Sequence, residues 1–146
     1  MDLRSNFWST ARKKYNIYMV LAVLFIICSL ANPNFLSVNN LTNISRQLAV
    51  TTILAFSETM LIICGMLDLS AGSVLALSGV FAVSVYKSTG SLLLSILIGV
   101  LTGLICNVVN AFMISTFKAP PFIATLSMMT MARGVALLFT KGQNIL

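Results

Sequence analysis

The residues best suited to chemistry stand together between two long apolar runs, in the stretch Gly65-Met-Leu-Asp-Leu-Ser-Ala-Gly-Ser73. Asp68 and Ser70 supply a carboxylate and a hydroxyl, which can hydrogen-bond to a polar solute. An ionisable residue beside a membrane-spanning segment is costly and is therefore a candidate functional residue. Asp68 either caps a helix by accepting bonds from its first backbone N–H groups or lines a polar pathway at a helix break. The two interpretations are compatible.

Four further polar side chains lie inside apolar runs. Glu58 falls near the middle of the run 48–64, where an ionised carboxylate is costly, and we predict an intramembrane ion pair with Arg133. The alternatives are a shielded Glu58 with a raised pKa and an Arg133 that extends to the membrane interface. Asn110 shares a helical face with Asn107. The amides of both asparagines either bond between helices or contact a hydroxyl-bearing solute.

A catalytic site is not indicated. The chain has three Asp and Glu residues in total and no histidine, which removes His-based triads and most zinc sites. Cys28, Cys64 and Cys106 have no metal-ligand or redox spacing, and no nucleotide-binding glycine-rich loop with its lysine is present. We therefore predict no enzyme, no metal and no cofactor.

The composition is that of an integral membrane protein. Hydrophobic residues make up 58% of the chain and charged residues 8%, with a mean hydropathy of +0.99, whereas soluble domains are about 45–50% apolar and about 25% charged. The net charge of +6 fits basic residues in cytoplasmic loops. The sequence contains no basic patch with interleaved aromatic residues, so we predict no binding to nucleic acid. The apolar composition predicts membrane lipid as the surrounding partner.

The elements that must position these residues are helices. Apolar runs predict an all-α polytopic bundle of about five membrane segments, over residues 15–31, 48–64, 74–86, 92–114 and 122–140. A short interfacial helix is expected over 35–47. Because Arg12-Lys-Lys14 precedes the first run, we expect residues 1–14 to form a cytoplasmic tail and residues 15–146 the membrane domain.

Glycine and proline residues predict where the bundle breaks and packs. Helix breaks are expected near Asp68, with Gly72 as a structural residue, and at the hinge Pro120-Pro121. Gly99 and Gly103 have the GxxxG spacing that lets another helix approach closely.

Four stretches, in this order, carry a resemblance to a known family: Asn32-Pro-Asn-Phe-Leu-Ser37 with Asn40-Leu-Thr-Asn-Ile44, Asp68-Leu-Ser-Ala-Gly-Ser73, Pro120-Pro-Phe-Ile-Ala-Thr-Leu126, and Arg133-Gly134. They resemble the membrane-spanning permease subunit of sugar-type ABC importers, the group of the ribose, xylose and galactose permeases. The resemblance implies import of a monosaccharide or related polyol across the bacterial plasma membrane. It implies three protein partners: a cytoplasmic ABC ATPase, an extracytoplasmic sugar-binding protein and a second permease copy. Asp68, Ser70 and Asn110 are then candidate pathway residues.

The chain also departs from that family. Met66 stands where a glycine is usual, and Asn107 and Ala111 replace the glycines of a common Gly-x-x-Asn-Gly pattern that Asn110 matches. The chain is also shorter than such permeases and resembles an N-terminal half, as a truncated product, a split subunit or a fragment would. The alternative function is therefore a permease half without transport of its own, acting as an interaction partner in a membrane complex.

Overall fold

The structure, a computed structural model, describes the backbone of residues 3–143 and the side chains of residues 15–143. This part of the chain contains five α-helices and no β-strand: α1 (Leu3–Ala31), α2 (Val38–Ile63), α3 (Ala71–Thr89), α4 (Leu92–Thr116) and α5 (Pro121–Thr140). Within the described residues, α2 to α5 are long and apolar enough to cross a membrane, whereas the apolar part of α1, Tyr15–Ala31, is shorter. The prediction of an all-α membrane bundle with breaks near Asp68 and Pro120 is confirmed.

Helix α1 ends where the sequence predicts, at Ala31. The Asn32 N–H still donates to the Cys28 carbonyl at 3.2 Å, and the Asn32 side chain then accepts from the Asn34 N–H at 2.9 Å. This turn and Pro33 stop the helix, because proline cannot continue the hydrogen-bond ladder. The basic side chains of Arg12-Lys-Lys14 lie outside the described side chains, so the cytoplasmic N-terminus stays a prediction.

Helix α2 corrects the predicted division between an interfacial helix over 35–47 and a membrane run over 48–64. The two are one continuous helix of 26 residues, about 39 Å long at the α-helical rise. Threonine hydroxyls bond within this helix. Thr42 and Thr51 donate to carbonyls one turn earlier, at 2.7 and 2.9 Å. Consequently Glu58 lies near the C-terminal end of α2 and not at mid-segment.

The chain divides by contacts into two units, residues 1–52 and 53–146. In the first, the rings of Phe25 and Phe35 meet edge to face with centroids 5.3 Å apart. In the second, helices α3, α4 and α5 pack against one another. The hydrophobic core of this three-helix group consists of Val74, Leu77, Cys106, Met128 and Ala132.

The glycine positions on α4 allow α3 to approach closely, as predicted. A Cβ atom at Gly99 would lie 3.3 Å from the Ala82 Cβ, and one at Gly103 would lie 3.5 Å from the Ser78 hydroxyl. Gly72 differs, since a Cβ there would meet no described atom within 4 Å. Packing within the described chain therefore does not require a glycine at position 72.

Candidate functional site

The candidate site begins where α2 ends, at a left-handed glycine. Gly65 has φ +73°, and its N–H donates to the Ile62 carbonyl at 2.9 Å while the Met66 N–H donates to the Leu61 carbonyl at 2.9 Å. This pair of bonds is a Schellman motif, in which glycine adopts the left-handed conformation without steric cost. The chain leaves the helix here and stays non-helical until Ser70.

Asp68 folds back onto the residue that starts the next helix. Its Oδ1 accepts a hydrogen bond from the Ser70 N–H at 2.7 Å, the pattern of an Asx turn. The N-cap of α3 is Ser70, so the interpretation of Asp68 as the N-cap residue is wrong by two positions. The carboxylate still satisfies a backbone donor at the helix start, but that donor belongs to the N-cap residue.

Ser70 connects the acid to a second helix. Its hydroxyl donates to Asp68 Oδ1 at 2.5 Å and accepts from the Asn110 Nδ2 on α4 at 3.0 Å. Ser70 is fully buried and Asn110 is 6% exposed. The three residues that the sequence nominated for the pathway thus form one hydrogen-bonded chain, Asn110 to Ser70 to Asp68. We call it the polar relay.

Thr125 brings α5 to the same junction. It is buried, its hydroxyl donates to the Pro121 carbonyl at 2.9 Å, and that hydroxyl also lies 3.4 Å from the Leu67 carbonyl. Pro121 is the first residue of α5 and Pro120 is its N-cap. Proline suits this position because its missing N–H would have no helical partner. The predicted break is confirmed, and the hinge motion stays a prediction.

Asp68 retains a free oxygen within the described residues. Both of its hydrogen bonds use Oδ1, and among residues 15–143 no buried side-chain oxygen or nitrogen lacks a partner. Since Asp68 is only half-buried, its Oδ2 is therefore accessible. The hydrogen bonds of Oδ1 to Ser70 fix the orientation of the carboxylate. Its accessible Oδ2 is a strong acceptor for a hydroxyl donor of a ligand.

Two cavities adjoin this acid. One, of about 810 Å³, runs between the end of α2 and the facing sides of α3 and α4. The other, of about 320 Å³, lies among the break, α4 and the start of α5. Asp68, Asn107 and Leu61 line both cavities. The volumes compare with the roughly 300–1,000 Å³ of small-molecule sites.

The structure does not bring Glu58 and Arg133 together. Glu58 is half-buried on α2, and Arg133 is exposed on α5, beside a groove that also contains Gly72 and Ser73. No salt bridge joins the two side chains, both of which lie in the described part of the chain. The predicted intramembrane ion pair therefore has no support in this structure.

Comparison with known proteins identifies the family. Residues 40–145 match the family described as "Branched-chain amino acid transport system / permease component". The chain belongs to this family. The matched residues include every residue of the candidate site.

Individual relatives are sugar permeases by name. The chain is 38% identical to the ribose import permease protein RbsC of Bacillus subtilis over 91% of its own length and 41% of the relative's. It is 34% identical to the L-arabinose ABC transporter permease protein AraH of Azospirillum brasilense over 98% of its own length and 42% of that chain. The chain thus spans about two-fifths of the length of these permeases. No solved structure gives a significant match.

One residue of the candidate site, Thr125, was not identified from the sequence as a site residue. Thr125 is hidden among apolar residues of the Pro120–Leu126 stretch, and its spacing of four from Pro121 is the one signal that could have indicated a bond to the helix start. Asn107 was predicted, like Asn110, either to bond between helices or to contact a solute hydroxyl. In the structure Asn110 is buried and Asn107 is exposed, so the two amides have different surroundings.

Proposed function

We propose that this chain forms part of the substrate pathway of an ABC importer for a monosaccharide or related polyol. The observation that carries the proposal is the polar relay of Asn110, Ser70 and Asp68 at the break between α2 and α3. Non-helical backbone at membrane depth is stable only where protein or a water-filled cavity covers it. Here the break borders two cavities and presents an accessible carboxylate oxygen to them.

The chemistry of the break suits a neutral polyol. Sugar hydroxyls donate hydrogen bonds that a carboxylate and the oxygen of a side-chain amide can accept. The apolar cavity walls suit the C–H faces of a sugar ring. The relatives named above are a ribose and an L-arabinose permease, which favours a pentose as the substrate.

The proposed machine has further parts. A cytoplasmic ABC ATPase would supply energy, an extracytoplasmic binding protein would deliver the sugar, and a second permease copy would complete the pathway in the bacterial plasma membrane. The relatives are permease proteins by name, one of them of an ABC transporter, which supports a separate ATPase. In this arrangement the N-terminus lies in the cytoplasm, and alternating access takes place around the helix break.

Uptake measurements test the proposal. Cells that produce the chain together with the ABC subunits encoded beside it should accumulate radiolabelled pentose, and S70A should lower the uptake rate several-fold at equal membrane level. The matched control is S127A, because Ser127 is exposed and its hydroxyl bonds only to its own helix, at the Ile123 carbonyl. Wild-type uptake no higher than that of cells without the chain would contradict the proposal. Equal rates for S70A and S127A would remove the pathway role of the relay.

A second candidate function is that of an interaction partner without transport of its own. Helix α2 has no buried residue, so its surface is available to another membrane protein. Two results together would favour this function over transport. An ATPase subunit and a second permease would co-purify with the tagged chain, and sugar uptake by the cells would not depend on the chain.

A further inference from the structure

Asp68 and Asn107 are the two polar residues that line both cavities beside the helix break. We propose that these two residues are the pair that contacts the sugar, whereas Ser70 and Asn110 position Asp68 from behind. The inference rests on the proposed function and goes beyond it, because it assigns a substrate contact to Asn107 and separates contact residues from positioning residues.

Burial separates the two asparagines of α4. Asn110 is 6% exposed, and its Nδ2 is engaged with Ser70 across the helix interface. Asn107 is exposed and lines both cavities. Its side-chain hydrogen bond runs from Nδ2 to the Gly103 carbonyl of its own helix at 3.0 Å. This bond holds no second helix in place, so Asn107 can exchange it for a ligand at little cost to the fold.

Asp68 and Asn107 each offer an acceptor oxygen. Asp68 Oδ2 is accessible and unbonded, and Asn107 Oδ1 makes no hydrogen bond to any described residue. The Asp68 carboxylate and the Asn107 amide belong to residues that line the same cavities, and their oxygens can accept hydrogen bonds from the hydroxyls of a polyol. Those hydroxyls would otherwise bond to water. The pair therefore selects for ligands with closely spaced hydroxyl donors and offers nothing to an apolar solute.

The smaller cavity adds an apolar wall to this pair. Its lining includes Leu67, Ile114 and Pro121 beside the polar groups of the break. Binding sites of this size combine mostly apolar walls with a few placed polar groups that fix orientation. A sugar that packs its C–H face on this wall would present its hydroxyls toward Asp68 and Asn107.

The test uses the complex purified through this chain, reconstituted in liposomes with saturating sugar-binding protein. Sugar import and ATP hydrolysis are measured together for D-ribose and for D-arabinose, which differ only in configuration at C2. The test variant is N107A. The matched control is T102A, because Thr102 is on the same helix, bonds to its own helix at the Ile98 carbonyl and lines neither cavity.

The expected result is that N107A imports about fivefold less sugar per ATP hydrolysed than T102A, the equivalent of one lost hydrogen bond. The ratio of ribose to arabinose import should change as well, because one hydroxyl contact is lost and the others remain. The ATPase rate should stay at the control value. A positioning role alone would lower import of both pentoses equally.

Each other outcome overturns the inference and is distinguishable from failure of the proposed function. If N107A matches T102A in import per ATP and in selectivity while S70A lowers import, the chain is a sugar permease subunit but Asn107 does not contact the sugar. If N107A lowers ATPase and import of both sugars in parallel, its role is structural. If the wild-type complex imports no sugar, the proposed function and the inference both fail.

Discussion

Asn110 donates a hydrogen bond to the Ser70 hydroxyl at 3.0 Å, although 40 residues separate them in the chain. The bond joins the start of α3 to the later half of α4 inside the buried part of the bundle. The Ser70 hydroxyl in turn donates a hydrogen bond to Asp68 Oδ1, so a single hydroxyl couples helix packing to the orientation of the acid. Loss of the Asn110 amide should therefore affect both the stability of the bundle and the position of the carboxylate.

The first prediction concerns this interhelical bond. N110A should lower the unfolding free energy of the purified chain by about 0.6–1.7 kcal/mol, the range of interhelical side-chain hydrogen bonds in membrane proteins. Cys106 is buried whereas Cys64 is exposed, so heat-dependent reaction of Cys106 with a thiol-specific fluorophore reports unfolding of the core.

The matched control for N110A is N107A, which removes the same amide from the same helix one turn earlier. Because the Asn107 side chain bonds only within α4, N107A should leave the melting temperature nearly unchanged. Equal melting temperatures for N107A and N110A would show that the bond between Asn110 and Ser70 does not stabilise the bundle.

The second prediction concerns the end of α2. Gly65 has φ +73°, a conformation that costs an L-residue roughly 1–2 kcal/mol, so G65A should destabilise the chain by about that amount. G72A is the control, because Gly72 lies in the first turn of α3, has no positive φ and has open space around its Cβ direction. Thermal unfolding in detergent compares the two. A G72A variant less stable than G65A would contradict the assignment of Gly65 as the required glycine.

The third prediction concerns the contact between α3 and α4. A Cβ atom at Gly99 would lie 3.3 Å from the Ala82 Cβ, so the two additional methyl groups of G99V should force the helices apart at a cost of about 1–3 kcal/mol. Gly79 on α3 has nothing within 4 Å of its Cβ direction, and G79V provides the control. The same thermal assay measures both. If G99V melts no lower than G79V, the close approach at Gly99 is not needed for packing.

Much of the fold was predictable because its signals are local. The long apolar runs correspond to helices in the structure. Helix ends occur at two proline-containing stretches, Asn32-Pro-Asn34 and Pro120-Pro121, whose effect depends on their own backbone and side chains. Helix α2 was mispredicted for the same local reason. The polar residues of 35–47 suggested a separate interfacial helix, whereas in the structure α2 continues from Val38 through them into the apolar run.

The site was predictable in its members but not in its arrangement. Asp68, Ser70 and Asn110 stood out because polar groups in apolar runs are costly, yet nothing in the sequence indicated that Ser70 accepts from Asn110. Because burying an isolated charge is costly, an ion pair between Glu58 and Arg133 was also predicted, but no salt bridge joins these side chains in the structure. Opposite charges attract in any sequence, but only helix packing decides whether they meet.

The sequence by itself determined that the chain is an all-α membrane protein, where its helices break, and which polar residues are exceptional. These properties depend on the hydrophobicity and backbone preferences of neighbouring residues. The tertiary structure decided that Ser70, and not Asp68, is the N-cap of α3, that Asn110 is buried, and that Asn107 is open to two cavities. The two asparagines share a helical face and a chemistry. Their burial depends on how α3 and α5 pack against α4, and that is a property of the folded chain alone.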